Sequence, residues 1–124
     1  MTIIEAINNV DAVKPNSYSQ AQKVKWLNNL DGIVKKEIID THESEENVSF
    51  NGYTEETDTS TQLLIPAPYD VIYIRYLEMQ IDYANGEYRK YNNSTIAYNT
   101  AYSAFEKYYN REHMPLNKGK RFLF

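Results

Sequence analysis

The chain contains no cysteine, which excludes disulfides, thiolate nucleophiles and zinc–thiolate sites together and fits a reducing, intracellular setting. Glycine is scarce, at four residues, and neither Gly-x-x-x-x-Gly-Lys nor Gly-x-Gly-x-x-Gly occurs, so a phosphate cradle is not expected. No window approaches a membrane-spanning apolar run. The start, Met1-Thr2-Ile3-Ile4-Glu5-Ala6, has neither a basic leader nor a long apolar stretch, so a signal peptide is not expected either. The sequons Asn47-Val48-Ser49 and Asn93-Ser94-Thr95 then read as chance matches. There are only two histidines. His42 stands among Asp40, Glu43 and Glu46, but the spacing fits no ligand pattern and reads as a solvated helix end. His113, beside Met114 and Pro115, reads as the close of the last helix, where a partly charged imidazole suits the dipole. The acidic segment lacks the Asp-x-Asp-x-Asp-Gly spacing of a calcium loop, and no serine lies in a nucleophile elbow. The expectation is a protein that is not an enzyme, with no metal and no cofactor.

At 124 residues the chain is long enough for one domain with a modest core. Tyrosine supplies much of the apolar bulk, with twelve residues. Tyrosine buries a ring while keeping its hydroxyl wet, which suits interfaces and the caps of a thin core alike. The net charge of −4 is unevenly spread. Glu43, Glu45, Glu46, Glu55, Glu56 and Asp58 form an acidic run without a basic residue. Past His113 the only charged side chains are Lys118, Lys120 and Arg121. Such segments either stay solvated or pair head to tail between identical subunits.

The stretch Ala67 to Arg111 holds ten of the tyrosines and reads as two helices. The first, about Tyr69 to Tyr91, has one apolar series at Ile74, Leu77, Ile81, Ala84 and Tyr88. A second runs through Tyr69, Ile72, Tyr76, Met79 and Tyr83. Both keep the steps of three and four that mark a helix face, and their centres lie roughly 130° apart. Glu78, Asp82, Asn85 and Arg89 fall on the wider side between them. A surface helix of a small monomer normally shows one stripe. Two stripes mean cover on two sides, by the chain's own domain or by a partner, and in a chain this short the second series is expected to meet a partner subunit.

Elsewhere Thr2 and Glu5 form a capping-box pattern opening a short helix to about Val13. Ser17/Gln20 or Ser19/Gln22 opens the next, with a stripe of Val24, Leu27, Leu30, Val34 and Ile38 that keeps phase across Asp31-Gly32. From His42 to Pro68 the helical period vanishes. Val48-Ser49-Phe50, Asn51-Gly52 and Leu63-Leu64-Ile65 predict two short strands around a tight turn, an arm over about 43–66. Pro68 and Asp70 suit the start of the third helix. Asn92-Asn93-Ser94 reads as the break before the fourth, with Gly86 as an earlier possible stop. In the fourth, Ala97, Tyr98, Ala101, Tyr102, Phe105, Tyr108 and Tyr109 share a face. Pro115 ends it, and a basic tail over about 115–124 closes with Phe122-Leu123-Phe124. Arg75, Arg89 and Lys90 alternate with tyrosines, as in single-strand binders, although the overall charge is negative.

In this order the residues resemble the small head–tail connector (adaptor, or neck) proteins of tailed bacteriophages and Gram-positive prophages. The pieces that carry the likeness are Met1-Thr2-Ile3-Ile4-Glu5-Ala6-Ile7-Asn8, Lys14-Pro15-Asn16-Ser17-Tyr18, Lys25-Trp26-Leu27 through Leu30-Asp31-Gly32, and Ile39-Asp40-Thr41-His42. They continue with Phe50-Asn51-Gly52-Tyr53, Leu64-Ile65-Pro66-Ala67-Pro68-Tyr69-Asp70, Gln80-Ile81-Asp82-Tyr83, Lys90-Tyr91-Asn92-Asn93-Ser94, Asn99 to Phe105 and Tyr108-Tyr109-Asn110-Arg111. The resemblance implies a mainly α fold and a many-copy ring beneath the portal of the capsid. It implies partners in the chain itself, the portal protein and the next neck or tail protein. DNA would be enclosed without sequence-specific binding, and no membrane would be involved. The implied location is the virion neck, reached from the bacterial host cytoplasm. The expectation is therefore a single domain over 1–124 with about four helices and a short β-hairpin arm between the second and third. Tyr69, Ile72, Tyr76, Met79 and Tyr83 are its expected subunit contact. A bacterial helical DNA-binding or regulatory adaptor is the alternative.

Overall fold

Four helices make up the fold in the computed structural model, which describes residues 1–43 and 48–116: α1 (Ile3–Val13), α2 (Gln20–Glu37), α3 (Val71–Ala84) and α4 (Tyr88–Glu112). A short 3₁₀ turn, Ile39–Thr41, follows α2. The start of α1 is set locally. Glu5 N donates to Thr2 Oγ1 at 3.2 Å and Thr2 N donates to Glu5 Oε1 at 2.8 Å, a closed capping box. Ser19 caps α2 by accepting from Gln22 N at 3.1 Å. Their stripes, Ile3, Ala6, Ile7 and Val10 on α1 and Val24, Leu27, Leu30 and Val34 on α2, are buried. Both meet α3, which also packs along α4 and so lies at the centre of the fold.

The expected β-hairpin arm does not form: among the described residues no strand is present, only the isolated antiparallel bridges Thr2–Gln62 and His42–Pro115. No turn forms at Asn51-Gly52, although Gly52 does take a positive φ, +89°. The two arms of the expected hairpin find other partners. Tyr53 N donates to Asn28 Oδ1 at 2.8 Å and Leu64 N to Asp31 Oδ2 at 3.1 Å, both on α2, while Ile65 N donates to the Tyr73 hydroxyl of α3 at 2.8 Å. Leu63 N donates to Met1 O at 3.0 Å, and Ile3 N to Thr61 O at 3.1 Å. Buried backbone groups must be paired, and here helix side chains and the start of α1 supply the pairing that a second strand would have given.

The break between the last two helices is also earlier than Asn92-Asn93-Ser94, which lie inside α4. Gly86 is at φ +73°, Gly86 N donates to Tyr83 O at 3.0 Å and Glu87 N to Asp82 O at 3.0 Å. A left-handed glycine with this pair of bonds is a Schellman stop. Likewise α3 starts at Val71, with Asp70 as its N-cap residue, and not at Tyr69.

Candidate interaction surface

Three buried polar centres hold the elements together. The first is Asp31, fully buried on α2. Its carboxylate accepts from Tyr53 Oη at 2.5 Å, Tyr73 Oη at 2.6 Å and Leu64 N at 3.1 Å. Burial pushes the Asp31 pKa up, and these three donors only partly offset it. Both phenols are raised in turn, by burial and then by the charge of Asp31. The second is Asp82 of α3, also fully buried, which accepts from Lys14 Nζ at 2.8 Å and from the Ser94 hydroxyl. It ties the end of α1 and the body of α4 to α3. The third is the buried Lys23, whose Nζ donates to Asp11 Oδ1 at 2.7 Å. Against the cost of partial burial, Lys23 and Asn16 hold Asp11 below the ordinary carboxylate value.

His42 does not stand at a solvated helix end. Its Nδ1 lies 2.6 Å from Ile38 O, its Nε2 pairs with Asn110 Oδ1 of α4, and its ring meets Tyr109 edge-on at 5.1 Å. It therefore fastens the chain after α2 to the far end of α4. His113 is the C-cap residue of α4, with its ring stacked on Tyr109 at 3.9 Å. Among the described residues no group of His, Asp or Glu could hold a metal ion, and no helix is long and apolar enough to cross a membrane.

The five residues of the expected subunit contact share one seam, and the chain's own α4 covers most of it. Ile72, Tyr76 and Met79 are buried. Tyr76 packs on Tyr98 at 5.2 Å, and Tyr69 stacks on Tyr108 at 4.7 Å. Burial raises the hydroxyl pKa of Tyr76, Tyr98 and Tyr102, and Tyr102 donates to Glu37 Oε1 at 2.8 Å. Only Tyr83 stays open, 60% exposed, with its ring 5.3 Å from Tyr91. Of the first series only Leu77 and Ile81 are buried, while Ala84 is exposed and Tyr88 lies exposed at the start of α4; the second series is covered mainly from within the chain.

Exposed large apolar side chains remain at Val13, Ile33 and Val71, and on α4 and around its ends. Tyr83 and Tyr88 are exposed around the turn at Gly86, Ile96 stands out midway, and Met114 lies just past the end. Between Glu87 and Glu106 the sequence has no carboxylate. The exposed positions there include Arg89, Lys90, Asn92, Asn93, Asn99 and Thr100. Sequence reasoning missed both buried aspartates. Asp31 carried a usable signal: it stands four residues after Leu27 and three before Val34, within the apolar stripe of α2. The acidic residues Glu45 and Glu46, the first sequon's Asn47, and residues 117–124 of the tail lie outside the described residues.

Compared with protein-family models, curated proteins and solved structures, the chain matches none.

Proposed function

We propose that this chain is a structural neck protein of a tailed phage or prophage particle. It forms a many-copy ring beneath the portal and joins the DNA-filled head to the tail. The reading begins with the sequence resemblance, and the structural observation that carries it is the outer face of α4. A wall that lets DNA slide should not repel phosphates with carboxylates, nor grip them with a dense basic stripe. The exposed amides and hydroxyl of Asn92, Asn93, Asn99 and Thr100, on a stretch without a carboxylate, have that character. Three groups that chemistry could use are tied up within the fold: both nitrogens of His42 are paired, and each carboxylate oxygen of Asp31 and Asp82 accepts at least one hydrogen bond.

Mass by light scattering after size exclusion, at low and high concentration, followed by negative-stain imaging, tests the reading. Ring-shaped particles are expected, either from the protein alone or once the cognate portal is added. The second reading, a helical DNA-binding or regulatory adaptor, draws on the exposed Tyr88, Arg89 and Lys90 at the start of α4. A chain that stays monomeric with portal present and binds duplex DNA with a steep salt dependence would replace the first reading by the second.

A further inference from the structure

Where the end of α4 meets the 3₁₀ turn and the arm, the surface opens into a groove of about 900 Å³. Its walls include Ile39, Leu64, Phe105 and Tyr108, and Glu43 and Glu112 also line it. Both glutamates are exposed, and among the described residues neither side chain has a hydrogen bond or ion pair. An aromatic and aliphatic cleft edged by two free carboxylates asks for a segment that is both apolar and cationic.

The chain contains one such segment. Residues 117–124 carry Lys118, Lys120 and Arg121, no carboxylate side chain, and the run Phe122-Leu123-Phe124. The approach to that segment is fixed by backbone bonds. Glu43 N donates to Met114 O at 2.7 Å and Leu116 N to Thr41 O at 2.8 Å, around the antiparallel bridge His42–Pro115. This bridge carries the chain from the level of Glu43 to that of Thr41, away from the Glu43 end of the groove. Filling that end in the same molecule would need a reversal, whereas the same segment of a second copy, about 26 Å long when extended, could enter from that end without one.

We propose that the groove is a docking site for residues 117–124 of a second copy of this chain. The aromatic run would enter between Phe105, Tyr108 and Leu64, and the lysines and arginine would face Glu43 and Glu112. The contact is head to tail, so its repetition closes a ring or extends a filament. It does not depend on the neck reading.

Charge reversal on each side tests it with full-length protein. One variant carries Glu43→Lys and Glu112→Lys; the other carries Lys118→Glu, Lys120→Glu and Arg121→Glu. A labelled peptide of residues 117–124 is titrated into the tail-reversed chain. Saturable binding is expected, weakened about tenfold or more when Glu43→Lys and Glu112→Lys are added. At high concentration the unchanged chain should form a species larger than the monomer, each variant alone should run at the monomer mass, and an equimolar mixture should recover the larger species. Absence of peptide binding, or equal binding with and without the groove changes, would overturn the proposal. Groove-dependent peptide binding without recovery in the mixture would also overturn it, assigning the groove to the chain's own segment. Unchanged far-ultraviolet circular dichroism of both variants keeps loss of folding apart from these outcomes.

Discussion

Three donors converge on Asp31, and they come from parts of the chain that share no secondary structure with it: Tyr53 and Leu64 of the arm and Tyr73 of α3. One fully buried carboxylate therefore holds α2, the arm and α3 in register. The two phenols are not equivalent. Tyr53 Oη only donates to Asp31, whereas Tyr73 Oη donates to Asp31 and also accepts from Ile65 N at 2.8 Å. Tyr53→Phe removes one charge-assisted bond, at a cost of about 1.5 kcal/mol. Tyr73→Phe removes such a bond and strands a buried amide as well, so it should cost roughly 3 kcal/mol. Urea denaturation of the two variants checks the ranking; equal losses would mean that Ile65 N finds another acceptor. A carboxylate in phase with Leu27 and Val34 could be read from the sequence as a buried acceptor. Its donors could not, because they lie 22 to 42 residues away along the chain.

Helix ends and helix faces were the most legible features, because their causes are local. The capping box at Thr2, the cap by Ser19 and the stripe of α2 stand as read. The arm was misread for the converse reason. Its short apolar runs on either side of Asn51-Gly52 suit strands, but side chains of α2 and α3 answer its backbone, and no local pattern shows that. The break after α3 was left open between Gly86 and Asn92-Asn93-Ser94, because polar residues and a glycine both read as stops, and the glycine is the one that acts. Asn92 and Asn93 are exposed within α4 and do not interrupt it, whereas the positive φ at Gly86 reverses the chain. Two glycines give opposite predictions on this ground. Gly32 lies inside α2, where an added Cβ would meet only Phe50 Cε2 at 3.9 Å. Gly32→Ala should therefore stabilise by about 0.5–1 kcal/mol. Gly86 has open space around its Cβ position but φ +73°, so Gly86→Ala should cost about 1 kcal/mol through the backbone alone. Opposite shifts in melting temperature are the expected result.

At the scale of the whole molecule, the second apolar stripe of α3 decides how assembly can be probed. Its central member, Tyr76, is 7% exposed and packs on Tyr98, while Tyr83 at its end is 60% exposed. A carboxylate at position 76 would be buried in the seam between α3 and α4, against the ring of Tyr98. Tyr76→Asp should therefore cost upward of about 3 kcal/mol, a large share of the stability of a domain this size. Any loss of association in that variant would report unfolding. Tyr83→Asp falls on open surface and should change stability by less than about 1 kcal/mol. If the aromatic surface around Gly86 contributes to a subunit or portal contact, Tyr83→Asp with Tyr88→Asp should weaken that contact at least tenfold while the melting temperature holds. Sedimentation of the folded double variant with and without the cognate portal makes the measurement. Unchanged association would remove this end of α3 and α4 from the interface, leaving the outer face of α4 and the groove at its far end.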